Sequence, residues 1–247
     1  GATALRRRTA VCVVLWLLQA PSAHAELRRY EYSADAMGGT FSIAVYADSR
    51  PRADAATADA FAELRRLDGM LSNYRPDSQW SEVNRDAAGR AVRVPAELFE
   101  LVSEALEYSR RSEGAFDITV GPLVKAWGFH GGTGQRPSEE VIREAMARVG
   151  YGHVVLDTAR STISFARAGV ELDPGGIGKG YAVDRMVAIL RRHGIDNALV
   201  SAARSSLYAM GAPPGQPGWL VVIGGPATGA REVRLVLAGG TDAQVGD

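Results

Sequence analysis

Apolar positions recur along this chain in two periods, near 3.6 and near 2, and turn-forming clusters separate the segments that carry them. After Tyr30 to Tyr32 and the stretch Ala36-Met37-Gly38-Gly39-Thr40, Phe41 to Tyr46 alternates like a half-buried strand. Phe61, Leu64, Leu67 and Leu71 then repeat at helical spacing and predict a helix within Ala55 to Leu71, ended by the polar segment Ser72 to Ser81, with Tyr74 in a loop. Pro95 suits a first helical position, and Leu98, Leu101, Val102, Ala105 and Leu106 form one face before Gly114. Ser138 caps a second such helix, which carries Val141, Ile142, Ala145, Met146 and Val149 and is closed by Gly150. Strand-like runs follow at Val154 to Leu156, Thr162 to Phe165 and Val170 to Leu172. A glycine-rich turn leads into a helix with Ala182, Val183, Met186, Val187 and Leu190 on one face, ended by Gly194. Strands at Ala198 to Ser201, Trp219 to Ile223 and Val233 to Leu237 complete the pattern, and Ala238 to Asp247 reads as a tail with no closing element.

Helices and short strands mix without a regular βαβ alternation, so the pattern predicts α+β, not a doubly wound sheet. The chain has 247 residues, 46% apolar and 23% charged, enough for one large domain with a proper core, and no interior linker divides it.

The first 25 residues stand apart. Arg6 to Arg8 form a positive n-region, Val11 to Leu18 a short apolar h-region, and Ala23-His24-Ala25 a small-x-small cleavage site, the order of a secretory leader. The expectation is export and cleavage before Glu26, leaving residues 26–247 as the mature domain. Cys12, the single cysteine, leaves with the leader, so disulfide and thiol chemistry are excluded from that domain. Loss of three arginines turns a balance of 28 basic and 28 acidic residues into 25 against 28, which argues against nucleic acid as a partner.

The strongest chemical signal is Asp173-Pro174-Gly175-Gly176-Ile177-Gly178-Lys179-Gly180, between an apolar strand and an amphipathic helix. Such a junction exposes backbone N–H groups and a helix N-terminus, which favour a phosphate. It matches neither the Walker pattern nor GxGxxG, and a plain strand-to-helix turn is the competing reading. Lys179 favours the phosphate: only Lys125 and Lys179 are lysine among 28 basic residues, so a compact ammonium stands in the loop of an arginine-rich chain. Asp173 can pair with Lys179, accept from a ligand hydroxyl, or cap the turn. Asp117 is either a ligand carboxylate or a turn residue, and Tyr74 either stacks on a planar ring or covers the core edge. His130, His153 and His193 lack ligand spacing, and Ser205-Ser206 lacks a GxSxG setting, so neither zinc nor a serine nucleophile is expected.

Several segments together resemble the ApbE family, the FAD:protein FMN transferases. They are Met37 to Thr40, Leu71 to Ser78, Phe116 to Leu123 with Trp127-Gly128-Phe129, and Leu172 to Asp184, in family order. The resemblance implies a single ApbE-like α+β domain with a mixed, largely antiparallel sheet and packed helices. It also implies an exported, Mg2+-dependent, periplasmic enzyme, free or associated with the inner membrane. Such an enzyme moves FMN from FAD to a threonine hydroxyl of an acceptor flavoprotein, such as a subunit of a membrane redox complex, and releases AMP. By matching position, FAD contacts fall on Met37, Tyr74, Ala115, Phe116, Asp117, Asp173 and Lys179, and Gly176 lends a carbonyl to the metal. No residue is assigned as the catalytic base.

Two departures qualify the resemblance. The family's Asn-Ala-Gly-Gly-Asp turn is replaced by Ser201-Ala202-Ala203-Arg204-Ser205-Ser206, where Arg204 is either a phosphate contact or a solvated loop residue. The family's His-Ile-Ile-Asp-Pro and late Asp-Ala-x-x-Thr elements, which bring metal ligands, are not found, and Gly239 to Asp247 no longer matches. The expectation is a member truncated or frameshifted at its C-terminus, with an incomplete metal site. Two alternatives stand beside the transferase: a periplasmic protein that binds or hydrolyses FAD with no protein acceptor, and an inactive truncated homologue.

Overall fold

A computed structural model describes residues 26–129, 134, 136–203, 205–223, 233–237 and 242–244. The leader, His130, Arg204 and most of the tail lie outside the described residues.

The first two strands, β1 (Arg28–Ala36) and β2 (Gly39–Ala47), pair antiparallel from Arg28↔Ala47 to Ala36↔Gly39. Their register leaves Met37-Gly38 as a two-residue turn, with φ of 50° and 74°. That double left-handed geometry matches the twist of the hairpin, and glycine accepts it without strain. β1 was not read as a strand from the sequence; its polar, half-exposed alternation is that of an edge strand.

Helix α1 (Arg50–Leu71) starts five residues before the expected Ala55, with a proline in its first turn, where no N–H is needed. Helix α2 (Gln79–Asp86) was missed inside the polar segment. Its Ser78 cap accepts from the Ser81 N–H, and only Trp80 and Val83 are buried, too few to give a period. After β3 (Val92–Arg93), Pro95 is the cap rather than the first residue of α3 (Ala96–Arg111). Short α4 (Gly121–Ala126) and Ser138-capped α5 (Glu139–Met146) precede a 3-10 turn at Tyr151–His153. β4 (Val154–Asp157) and β5 (Thr162–Phe165) then form a small antiparallel sheet in the order β3-β5-β4.

The strand expected at Val170 to Leu172 is not formed. Only a single parallel bridge, Val120↔Glu171, is made there, because the Leu172 backbone is bonded to side chains instead. Helix α6 (Gly178–Arg192) follows, then β6 (Asn197–Ala202), β7 (Ser206–Met210), β8 (Trp219–Ile223), β9 (Val233–Leu237) and β10 (Asp242–Gln244). β8 and β9 make a separate two-stranded ribbon. The tail does carry a closing element: β10 pairs with β7 as the edge of the main sheet.

That main sheet has the order β1-β2-β6-β7-β10, with every pair antiparallel. Its inward face is set by register: Phe41 opposes Ala202, Ile43 opposes Val200 and Val45 opposes Ala198, all buried. Helices α1 and α6 pack on one another and on these strands, with Leu64, Leu67, Met186, Val187 and Leu190 in the shared core. Each such side chain contributes about 1.5–3 kcal/mol by leaving water. The C-terminus of α6 is capped from α1: Arg52 donates to the carbonyls of His193 (3.3 Å) and Gly194 (2.6 Å), where the helix dipole is negative.

Candidate functional site

The glycine segment is entered through a clamp. The Asn84 side chain donates to the Leu172 carbonyl (2.9 Å) and accepts from the Leu172 N–H (2.7 Å), as a neighbouring strand would, while the Trp80 indole donates to the same carbonyl (3.1 Å). Asp173 continues the fixation. Its N–H reaches the Ile118 carbonyl, and its carboxylate accepts from the Gly175 N–H (2.8 Å) and the Asn73 amide (3.1 Å). This is an Asx turn, so of the roles open to Asp173 the structure realises the turn cap. A Cβ at Gly175 would lie 2.7 Å from that carboxylate, which explains the glycine.

Three other segments reach the same loop. The Met37 methyl would stand 3.5 Å from a Cβ at Gly178, bringing the hairpin tip over the start of α6. Met37 holds a left-handed backbone, and its N–H is bonded to Asp68 of α1 (3.0 Å). The Phe116 ring lies against Gly176, where a Cβ would be 2.8 Å from the ring edge. Asn73, beside Tyr74, supplies the bond to Asp173. Residues spread over more than a hundred positions thus converge on 173–180.

The start of α6 is open to an anion. Its cap residue, Ile177, makes no side-chain cap bond, and the first turn carries no acidic residue. The Pro174 carbonyl accepts from the Gly178 N–H (2.7 Å), which leaves the N–H groups of Lys179 and Gly180 and the positive end of the helix dipole to face a ligand. Lys179 sits in this turn, half-buried, and enters no ion pair among the described residues. The second lysine, Lys125, pairs with Glu171, just before the loop.

A cavity of about 640 Å³ opens between α3, the loop, the first turns of α6 and β7. Phe116 and Gly176 line it, with Tyr108, Tyr181 and Tyr208 adding aromatic walls. A smaller cavity of about 350 Å³ lies on the other side of Leu172, lined by Asn73, Asn84, Lys125 and Glu171. The buried amide oxygen of Asn73 has no hydrogen-bond partner among the described residues.

The expected site residues therefore divide. Phe116 and Gly176 face the large cavity; Met37, Asp173 and Lys179 gather around the loop beside it. Tyr74 projects outward, 70% exposed, and Ala115 is also exposed. Asp117 is engaged within the protein: one oxygen accepts from the Thr119 N–H (2.8 Å) and hydroxyl (2.6 Å), the other from the Tyr151 N–H (3.0 Å). Thr119 in turn accepts from the Gly150 N–H (2.7 Å). Sequence reasoning missed Asn84 and Trp80. A polar residue that serves a distant backbone leaves no local period.

Among the described residues no three His, Cys, Asp or Glu side chains gather as metal ligands. Gly176 offers a carbonyl at most, and the Asp173 carboxylate is already bonded, so the described residues do not by themselves fit a hard, oxygen-seeking Mg2+.

Comparison with known proteins identifies the family. The family model described as ApbE family matches residues 37–244, which takes in part of the tail that the sequence reading had set aside. A Treponema pallidum protein named FAD:protein FMN transferase is 31% identical over 194 residues, 76% of this chain and 53% of the relative. A Haemophilus influenzae protein of the same name is 29% identical, covering 92% of this chain and 68% of its own length. The chain spans about half the length of several relatives it matches. Among solved structures, the Pseudomonas stutzeri flavinyl transferase ApbE, apo form, superposes with a TM-score of 0.75 at 31% identity, covering 86% of this chain and 66% of that one. The Thermotoga maritima ApbE protein gives 0.75 at 29%, covering 85% and 68%. Since the matched range contains every segment that converges on the glycine loop, and the fold agrees with solved members, this chain belongs to the ApbE family.

Proposed function

We propose that this protein is a flavin transferase that takes FAD as substrate and moves its FMN half to a threonine hydroxyl of an acceptor flavoprotein, releasing AMP. The observation that carries the reading is the convergence of Met37, Asn73 and Phe116 on a glycine loop that opens a helix with no side-chain cap, bearing Lys179. In this reading the helix N-terminus and Lys179 receive the FAD diphosphate, and the aromatic cavity beside them offers walls to a planar ring. Met37, Tyr74, Ala115, Phe116 and Asp173 complete the FAD surroundings. Asp117 acts on FAD only through the shape of its loop.

The reaction is a phosphoryl-type transfer. The threonine oxygen attacks the phosphorus of the FMN half, a P–O bond forms, and the bond to the AMP phosphate breaks. The electron pair leaves with AMP, and the hydroxyl proton passes to a base. Positioning and charge stabilisation carry most of such a reaction, so a fixed ammonium and aligned N–H groups at the diphosphate are the parts the chain needs to supply. Neither Asp117 nor Asp173 is assigned as base, since the carboxylates of both accept bonds from protein donors. Mg2+ is the ion that the resemblance to the family implies; because the described residues do not complete a site for it, no step is routed through the ion.

We further place the mature domain, residues 26–247, in the periplasm on the strength of the leader pattern, its acceptor being a subunit of a membrane redox complex. No helix among the described residues is long and apolar enough to cross a membrane.

The test is an FAD titration by flavin fluorescence, with Mg2+ and with chelator, followed by incubation with a threonine-bearing acceptor protein. Covalently flavinylated acceptor with stoichiometric AMP supports the transferase. Free FMN plus AMP replaces it with an FAD hydrolase, and a folded chain that leaves FAD unbound overturns the flavin reading.

A further inference from the structure

The first turn of α6 is intrinsically weak. Two of its first three residues are Gly178 and Gly180, both poorer helix formers than alanine, and its start has one backbone bond, from the Gly178 N–H to the Pro174 carbonyl (2.7 Å), but no side-chain cap and no first-turn acid. Something outside the helix must hold it.

A four-charge cluster joins α1, α3 and α6 at this point. Arg66 of α1 forks onto Glu63 (2.8 Å) and reaches Glu97 in the first turn of α3 (2.8 Å). Arg185, one turn further along α6, donates to Glu63 (3.2 Å). The Tyr181 hydroxyl completes the ring by donating to Glu97 (2.8 Å). The Glu63 and Glu97 side chains are only 13% and 25% exposed, so these bonds are shielded from water to a degree that surface pairs are not. Burial would raise Glu97, yet the bonds from Arg66 and Tyr181 outweigh it and leave its pKa lowered. Burial and the neighbouring Glu97 both raise Tyr181, which keeps its proton and remains a donor.

We infer that Tyr181 and Glu97 form a positioning pair, which fixes the first turn of α6 so that Lys179 and its neighbouring N–H groups face the diphosphate of FAD. Tyr181 lies two residues beyond Lys179, and its ring lines the large cavity, while its hydroxyl is tied to a different helix. A phenylalanine would fill the same wall; the hydroxyl adds the tie. The inference rests on the flavin reading for its ligand, but not for the mechanical claim.

Two measurements on the full chain test it. In FAD titrations, Tyr181→Phe raises Kd by roughly three- to tenfold, but by less than about twofold in a Lys179→Ala background, because the pair acts through the lysine. An equal factor in both backgrounds overturns the inference, as does an unchanged Kd in the single variant. In the ligand-free protein, Tyr181→Phe speeds amide hydrogen exchange over residues 175–181 by about an order of magnitude, with the rest of α6 unchanged. Unaltered exchange there overturns the inference whether or not FAD binds, whereas wild-type protein that ignores FAD counts against the flavin reading and leaves exchange to decide this one.

Discussion

Lys179 and Asp117 illustrate how differently two polar residues of one site behave. Lys179 has little to do for the fold: it stands in a helix turn with no side-chain cap and enters no ion pair among the described residues. Lys179→Ala is therefore expected to leave the thermal midpoint nearly unchanged and to weaken FAD binding by about 1–3 kcal/mol, the range of a charge-assisted bond. An unchanged dissociation constant would remove the lysine from the site. Asp117 is the reverse case, accepting three bonds that tie residues 117–119 to the turn at Tyr151. Asp117→Ala leaves those donors without their acceptor and should cost roughly 1–3 kcal/mol in urea unfolding. Full stability combined with lost FAD affinity would make Asp117 a ligand contact after all. The sequence favours a phosphate role for Lys179 but leaves Asp117 open between ligand and turn, since a turn carboxylate and a ligand carboxylate look alike until their donors are known.

Helices α1, α3 and α6 owe part of their mutual placement to charge, and this makes an acid-sensitive joint. The Arg66 guanidinium bonded to Glu63 holds that carboxyl down, from 4.5 to about 2. A lowered carboxylate contributes stability that is complete above pH 4.5 and is lost as pH falls toward 2. The melting midpoint should therefore drop across that window, and Glu63→Gln should remove part of the slope. A variant that retains the whole wild-type slope would assign the acid sensitivity elsewhere. At the start of α4 the constraint is steric: a Cβ on Gly121 would sit 2.8 Å from the Glu171 carbonyl oxygen and 2.9 Å from its Cβ. Gly121→Ala should cost about 1–3 kcal/mol, as overpacking against backbone does, and a neutral result by calorimetry would mean that the 171–173 backbone yields.

At the scale of the whole molecule, the long amphipathic elements were legible because burial stamps a period on them. α3, α6, β5 and β8 lie close to where apolar spacing put them. The antiparallel sheet order was not legible in detail, since β10 is three residues long and its pairing with β7 depends on a neighbour more than thirty residues away. The same holds for the clamp on Leu172: Asn84 is one polar residue in a polar stretch, yet it takes the place of a strand. Ligand binding gives a test of the assembled molecule. FAD that binds only the native state should raise the melting midpoint, by an amount equivalent to about 2.7 kcal/mol at a hundredfold excess over Kd. A midpoint indifferent to saturating FAD would dissociate the cavity from flavin. The two attachments of α6 have a mechanical consequence. Arg52 of α1 grips the carbonyls just past its C-terminus, and Glu97 of α3 holds its first turn through Tyr181, so two different helices hold α6 at its extremities. The helix between them is a braced beam some 22 Å long by helical rise, in which a cut at one bolt is felt at that end alone. Loop 173–177 is itself pinned through Asp173, so the frame presents a ligand with a preformed seat rather than one assembled on arrival.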